Sequence, residues 1–228
     1  MNIHCCSFAS NSFKKTQDIQ KKSFLKVGFE QKNIHLYGPE KLDNKFFENF
    51  PNASEENKFG WFAFKPYFIN LILNQLKNND ILLYLDVNDK PLMGLKKYIF
   101  KSLLKNQQID LIVPTTNYPN FLFLSKFHKA NLSIEILVSS MFNLQPEAGA
   151  LIIRNTPKSK AIINAWYQLT ILHAYEFEKY NENKTRWDQE TLFFLSRLYK
   201  SIKFESWFLY KFTGDGLRKY IEFESFRK

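Results

Sequence analysis

The chain has 228 residues, enough for one domain with a sizeable core and too few for two large ones. Hydrophobic residues make up 45% and aromatics 17%, with 24 Phe, a composition that excludes a disordered chain. The net charge of +10 favours anionic partners such as nucleotide diphosphates, anionic lipid surfaces or nucleic acid, although an AT-rich genome would produce the same excess of Lys, Asn, Phe and Ile.

The chain opens with Asn2 to Ala9, which reads as a strand, and with Ser10 to Ser12 as a turn into a polar, Lys-rich helix from Ser12 to Lys26. The only cysteines, Cys5 and Cys6, are adjacent and cannot build a disulfide framework. No charged segment leads into a long apolar run at the start, and no apolar run approaches the length of a bilayer span. The expectation is a cytoplasmic protein, with peripheral contact at the inner face of the membrane left open. Ile34 to Tyr37 is a second short strand closed by Gly38-Pro39, so the opening is β-α-β. With parallel strands, the Ser7 to Ser10 turn lies at the carboxyl edge of the sheet, where it could cradle a nucleotide.

Leu42 to Lys58 is polar and mixed, predicting a loop with a helical turn. Pro66 suits the first position of a helix, because its missing N–H would have no intrahelical partner there. Phe68, Ile69, Leu71, Ile72, Leu73 and Leu76 then give that helix an apolar side. Lys65 at its start opposes the helix dipole unless an anion sits beside it; otherwise it is a solvated surface lysine.

The helix feeds into Ile81 to Leu85, an unbroken apolar run of the kind found in a strand covered on both faces. The run stops at Asp86, Asn88 and Asp89. Oxygen ligands in close succession at a strand end suit Mg²⁺ or Mn²⁺ carrying a phosphate, whereas Asp-Val-Asn-Asp-Lys-Pro also has the composition of an ordinary turn. Leu95 to Lys105 reads as an amphipathic helix with a lysine-rich outer side, and Asp110 to Pro114 as a strand. Thr115 to Leu144 is less regular, and His128 within it has no His, Cys or Asp at metal spacing beside it. Glu147-Ala148-Gly149-Ala150 introduces a strand at Leu151 to Ile153, with small residues that let a ligand come close to the backbone. Helices follow at Lys158 to Tyr175 and from Thr185 to Lys200, the second opened by Thr185-Arg186-Trp187-Asp188, in which Asp188 reads as a capping acid. Lys203 to Phe212 alternates as a half-buried strand does, and Gly214-Asp215-Gly216 precedes a basic tail.

Four stretches taken in order carry a family resemblance: Phe64-Lys65-Pro66-Tyr67, Ile81 to Asp89, Gln145 to Asn155, and Arg186 to Leu192. Their order and spacing, over about residues 2 to 200, resemble bacterial glycosyltransferases of the GT-A fold, of the galactosyltransferase-like, nucleotide-diphospho-sugar transferase type. The resemblance implies an α/β, single-domain GT-A fold over residues 1–228, with a mixed, mainly parallel central sheet flanked by helices. A nucleotide-binding half would occupy about 1–114, an acceptor-side half about 115–212 and a basic tail 213–228. It further implies a nucleotide-sugar donor, commonly UDP-linked, whose diphosphate is held by Mn²⁺ or Mg²⁺ on an Asp-x-Asp motif.

Asp86 matches the first acid of that motif, Asn88 stands where the second is usual, and Asp89 lies one place beyond. The residues expected around the donor are Ser7, Ser10, Lys65, Tyr84, Gly149 and Gln189, and the resemblance implies Asp188 and Glu147 as the catalytic carboxylates. No late His is present as a further metal ligand after His173. The activity implied is metal-assisted, retaining transfer of a sugar to a surface polysaccharide (lipopolysaccharide or capsule) or a lipid-linked glycan, with no nucleic acid partner. Two other classes stay open on the residues alone: an inactive relative that binds nucleotide or glycan, and a basic nucleic-acid-binding protein, which would leave the strand-end acids unexplained.

Overall fold

The apolar run that ends at Asp86 forms an inner strand of the main sheet. In the computed structural model, Ile81–Leu85 (β3) is buried at every position and lies between β1 (Ile3–Phe8) and β7 (Ala150–Arg154). The pleat sends Ile81, Leu83 and Leu85 to one face and Leu82 and Tyr84 to the other, so both faces need cover. On the first face they meet Phe24 of helix α1 (Lys14–Lys26) and Leu95, Ile99 and Leu103 of α5 (Leu95–Leu104). On the second they meet Ile69, Ile72 and Leu73 of α4 (Phe64–Gln75) and Ile162, Ile163 and Trp166 of α7 (Pro157–Tyr180). The structure describes residues 1–104, 107–119, 133–180, 187–205 and 217–222.

Among the described residues the main sheet has seven strands, in the order β2 (Ile34–Tyr37), β1, β3, β7, β5 (Leu111–Pro119), β6 (Leu144–Pro146), with β8 (Ile202–Glu205) also paired to β5. β1 runs parallel to β2 and β3, and β5 parallel to β8, while β7 is antiparallel to β3 and β5 and β6 is antiparallel to β5. Two strands therefore oppose the common direction of the other five, which makes the sheet mixed and mainly parallel, as expected. A third apolar cluster, rich in Phe, joins Phe8, Phe46, Phe50, Phe59, Phe64 and Phe68 at one end of the sheet. No helix among the described residues is long and apolar enough to cross a membrane.

Three local expectations change. The 42–58 segment carries more than one helical turn: a short helix, α2 (Asn44–Asn49), and a four-residue turn, α3 (Lys58–Trp61), whose Phe59 and Gly60 have non-helical, positive-φ backbone. Asp43 caps the first, its Oδ1 accepting from the Phe46 N–H at 2.9 Å, and the Phe46 and Phe50 rings are buried. The irregular Thr115 to Leu144 stretch contains α6 (Ile134–Phe142), and β5 runs on to Pro119. The tail does not simply trail away: Leu217–Lys219 forms a 3₁₀ turn, and Ile221–Glu222 (β9) pairs with Lys90–Pro91 (β4). His128, Thr185, Arg186, the 206–212 part of the last expected strand and Gly214-Asp215-Gly216 lie outside the described residues. α8 itself is Trp187–Leu198.

Candidate active site

β1 and β3 are parallel, with Cys6 opposite Tyr84, so both strands end on the same side of the sheet, β1 at Phe8 and β3 at Leu85. The acids after β3 and the serine turn after β1 therefore share the carboxyl edge of the sheet. The turn holding those acids is short, with the Asp89 N–H donating to the Asp86 carbonyl at 2.9 Å. It is clamped from α1 by Gln20, whose buried side-chain amide donates to the backbone carbonyls of Asp86 at 2.7 Å and Asp89 at 2.8 Å.

Gly149 faces the same turn. Its carbonyl accepts from the Asp86 N–H at 2.7 Å, and a β-carbon added at Gly149 would lie 3.1 Å from Oδ2 of both Asp86 and Asp89. Two carboxylates thus converge on a gap that exists because residue 149 has no side chain. This glycine serves close approach rather than an unusual backbone angle. Asp89 is buried, whereas the Asp86 side chain keeps 38% of its exposure and lines the adjoining cleft with Val87 and Asn88.

Behind Asp86 sits Lys65. The solvated-lysine reading is excluded: Lys65 is 2% exposed, and its ammonium is the central cation of the site. Nζ lies 3.2 Å from both oxygens of Asp86, 2.7 Å from Oδ2 of Asp188 and 3.4 Å from the Ala148 carbonyl. The rings of Phe62 and Tyr84 flank it at 4.8 and 5.9 Å. A cation at a helix start is disfavoured by the dipole, and here the two carboxylates supply the anions that offset it. Burial alone would lower the Lys65 pKa, but Asp188 and Asp86 outweigh it and raise the pKa well above the usual lysine value.

Tyr84 completes the support, its hydroxyl donating to Asp86 Oδ1 at 2.8 Å. Burial first, and the adjacent Asp86 charge second, push the phenol pKa well up, so Tyr84 is a fixed donor at neutral pH. Asp188 is the second residue of α8 and 5% exposed; its Oδ1 accepts from the Gln189 N–H at 3.0 Å while Oδ2 holds Lys65. It is therefore both a helix-start acid and one arm of the ion-pair network; its capping-box partner Thr185 lies outside the described residues.

The sequence-derived candidates sort into three groups. Lys65, Tyr84, Asp86, Asp89, Gly149 and Asp188 come together, with Gln189 attached through its backbone. Ser10 and Asn88 line the adjoining cleft of about 220 Å³. Ser7 and Glu147 are buried and do not line that cleft. The pleat puts Ser7 on the same sheet face as Cys5, beneath α1 and α5, and the Glu147 N–H donates to the Pro114 carbonyl at 2.8 Å. Two residues that sequence reasoning passed over also matter. Gln20 lies in a helix that reads as polar throughout, and its only signal is that Gln17 and Gln20 stand among lysines one turn apart. Glu55 falls in the stretch expected to be loop; it lines the cleft and accepts from the Ser10 hydroxyl at 2.6 Å.

No protein-family model and no curated protein matches the sequence. Solved structures do share the fold. A glycosyltransferase involved in the glycosylation of the major capsid of PBCV-1 aligns with a TM-score of 0.51 and 11% identity, over 90% of this chain and 83% of its own. Mouse xyloside xylosyltransferase 1, in its apo form, gives a TM-score of 0.51 and 10% identity, over 90% of this chain and 85% of its own. At such identities the likeness is one of fold, and the mixed, helix-flanked sheet is the GT-A arrangement expected from the sequence.

Proposed function

We propose that this chain is a glycosyltransferase that moves a sugar from a nucleotide-diphosphate donor, UDP-linked, to a surface polysaccharide or lipid-linked glycan. The observation that carries the reading is the joining of two carboxylate positions by one buried lysine beside a cleft. Asp86 at a strand end and Asp188 at a helix start both hold Lys65, next to the gap kept open by Gly149. A fold shared with two sugar transferases agrees with it.

The donor set fits a hard divalent cation such as Mn²⁺ or Mg²⁺. Asp86 and Asp89 converge within reach of one point, and Asn88 adds a carbonyl oxygen at the cleft wall. Among the described residues no group of three or more His, Cys, Asp or Glu stands at metal-holding distance. The remaining positions would fall to diphosphate oxygens and water, which Mg²⁺ and Mn²⁺ accept readily. When bound, such a cation neutralises the charge that develops on the departing diphosphate.

The chain's own residues do the rest. Gln20 and Tyr84 fix the Asp86 turn before donor arrives, so that no reorganisation is needed as charge develops. Asp188, with one oxygen on Lys65 and the other on the Gln189 N–H, is held as an electrostatic partner for the oxocarbenium-like centre rather than as a free proton acceptor. That favours retention, in which the leaving diphosphate takes the acceptor's proton, over an inverting mechanism that needs a mobile general base. The basic surface suits an anionic membrane that presents a lipid-linked acceptor, by peripheral contact from the cytoplasm.

The test is release of the nucleoside diphosphate from a panel of UDP- and GDP-sugars with Mn²⁺, in the wild type and in Asp86→Asn. Turnover that is lost in the variant supports the reading. Binding of a nucleotide with no turnover of any donor would instead make the chain an inactive relative.

A further inference from the structure

The cleft beside Asp86 has one feature that a site for an anion does not need. Its walls are aromatic, with Phe8, Phe13, Phe59, Phe62 and Phe64, and Lys58 contributes a positive charge. Glu55 adds a carboxylate. A carboxylate facing a diphosphate is repelled by it, so Glu55 is useful only to a part of the ligand that donates hydrogen bonds.

The side chain is held in place. Glu55 Oε1 accepts from the hydroxyls of both Ser10, at 2.6 Å, and Ser12, while those hydroxyls lie 2.9 Å apart. These hydrogen bonds keep its carboxyl below the usual glutamate pKa, so it stays an acceptor.

The segment that carries Glu55 is also fixed. Asn57 Oδ1 accepts from the N–H groups of Ser54 at 2.9 Å and Gly60 at 3.2 Å, and the Phe59 N–H donates to the Ser54 carbonyl at 2.7 Å. These bonds hold Lys58, Phe59, Gly60 and Phe62 at positive φ, between 50° and 71°. Three of the four have side chains, for which that region is unfavourable and persists only where its surroundings impose it. The strained run sets Lys58, Phe59 and Phe62 along the cleft wall.

We propose that Glu55, braced by Ser10 and Ser12, is a specificity-determining residue that accepts two hydrogen bonds from the vicinal hydroxyls of the donor's ribose. The inference rests on the nucleotide-sugar reading above and deepens it. A shared cleft favours the ribose over the more distant base. Ser10 and Glu55 line the same cleft as Asp86 and Asn88, so Glu55 faces the space that adjoins the Asp86 end where the diphosphate belongs. The ribose begins one ester bond beyond that diphosphate, and the aromatic walls then take the base. The guanine edge, which also presents two adjacent donors, is the alternative source of the same chemistry.

The experiment measures binding of UDP, 2′-deoxy-UDP and GDP, each with Mn²⁺, by calorimetry to the wild type, Glu55→Ala and Glu55→Gln. The wild type should prefer UDP to 2′-deoxy-UDP by about tenfold or more, the usual worth of a hydrogen bond to a charged group. Glu55→Ala should lose that preference, and Glu55→Gln, which keeps one acceptor oxygen, should lie between. An unchanged ribose-to-deoxyribose ratio in Glu55→Ala overturns the inference while leaving the nucleotide reading intact. A change confined to the GDP-to-UDP ratio overturns the ribose assignment in favour of the base edge. Failure of the wild type to bind any of the three overturns both the inference and the reading beneath it. Glu55 is at the surface, so unfolding midpoints within about a degree of the wild type are expected for both variants.

Discussion

Lys65 is the residue on which the site turns. Its ammonium and the Asp188 carboxylate are about as buried as each other, at 3% and 4% side-chain exposure. Removing one member of such a pair strands the other without solvent, which costs about 3–5 kcal/mol, so Lys65→Met should lose about that much stability in urea unfolding. Replacing Asp188 by Asn in the same chain should recover part of the loss, because the stranded charge is gone; a strictly additive double variant would show that the two do not interact. Gly149→Ala makes a sharper separation between fold and site. The new methyl meets both carboxylates at 3.1 Å, so Mn²⁺-dependent nucleotide binding should fall at least tenfold while stability drops by about 1–3 kcal/mol. Retained binding with unchanged metal dependence would remove the gap at Gly149 from the account. Asp86 and Asp89 were legible from the sequence because an apolar run ended on them. The environment of Lys65 was not, since Asp188 is 123 residues away and only the fold brings them within 2.7 Å.

At the scale of elements, β1 and β2 meet at a pair of histidines. His4 Nδ1 lies 3.2 Å from His35 Nε2, and His4 Nε2 is 3.7 Å from Asp80. Burial lowers the pKa of both rings, only partly countered at His4 by Asp80, and a proton on His4 also disfavours one on His35. The folded state therefore binds fewer protons than the unfolded chain, in which both titrate near 6.5. Stability is full well above that value and should decline as pH falls from about 7.5 to 5.5. Urea midpoints across that range check it, and His35→Gln should flatten the slope. A midpoint that rose toward acid would reverse the sign. The strands themselves were readable, with Ile34–Tyr37 found at its own limits, because short apolar runs between turn residues leave few alternatives. The short helix and the turn in 42–61 were not, since their buried face is a set of Phe residues that pack on Phe8 and Phe64 rather than a periodic stripe.

The whole molecule is a sheet whose carboxyl edge gathers groups from distant parts of the chain. α1 supplies Gln20, α4 Lys65, β3 and its turn Asp86 and Asp89, the residue before β7 Gly149, and α8 Asp188. Pattern in the sequence reached most of the acids at its edge, and the family resemblance implied the mixed, mainly parallel sheet. Two things needed the assembled fold: that β7 inserts between β3 and β5 against the common direction, and that the 54–62 segment forms a wall of the cleft. The claim that most needs testing is that this edge binds a nucleotide through a divalent cation. Thermal unfolding of the wild type and of Asp86→Asn, with UDP, GDP or CMP and with or without Mn²⁺, tests it most directly. A nucleotide at about 100 times its dissociation constant adds roughly 2.7 kcal/mol, enough to raise the midpoint by several degrees. The account predicts that rise for UDP in the wild type only when Mn²⁺ is present, and its loss in Asp86→Asn. A midpoint that none of the nucleotides moves, with or without Mn²⁺, would contradict it.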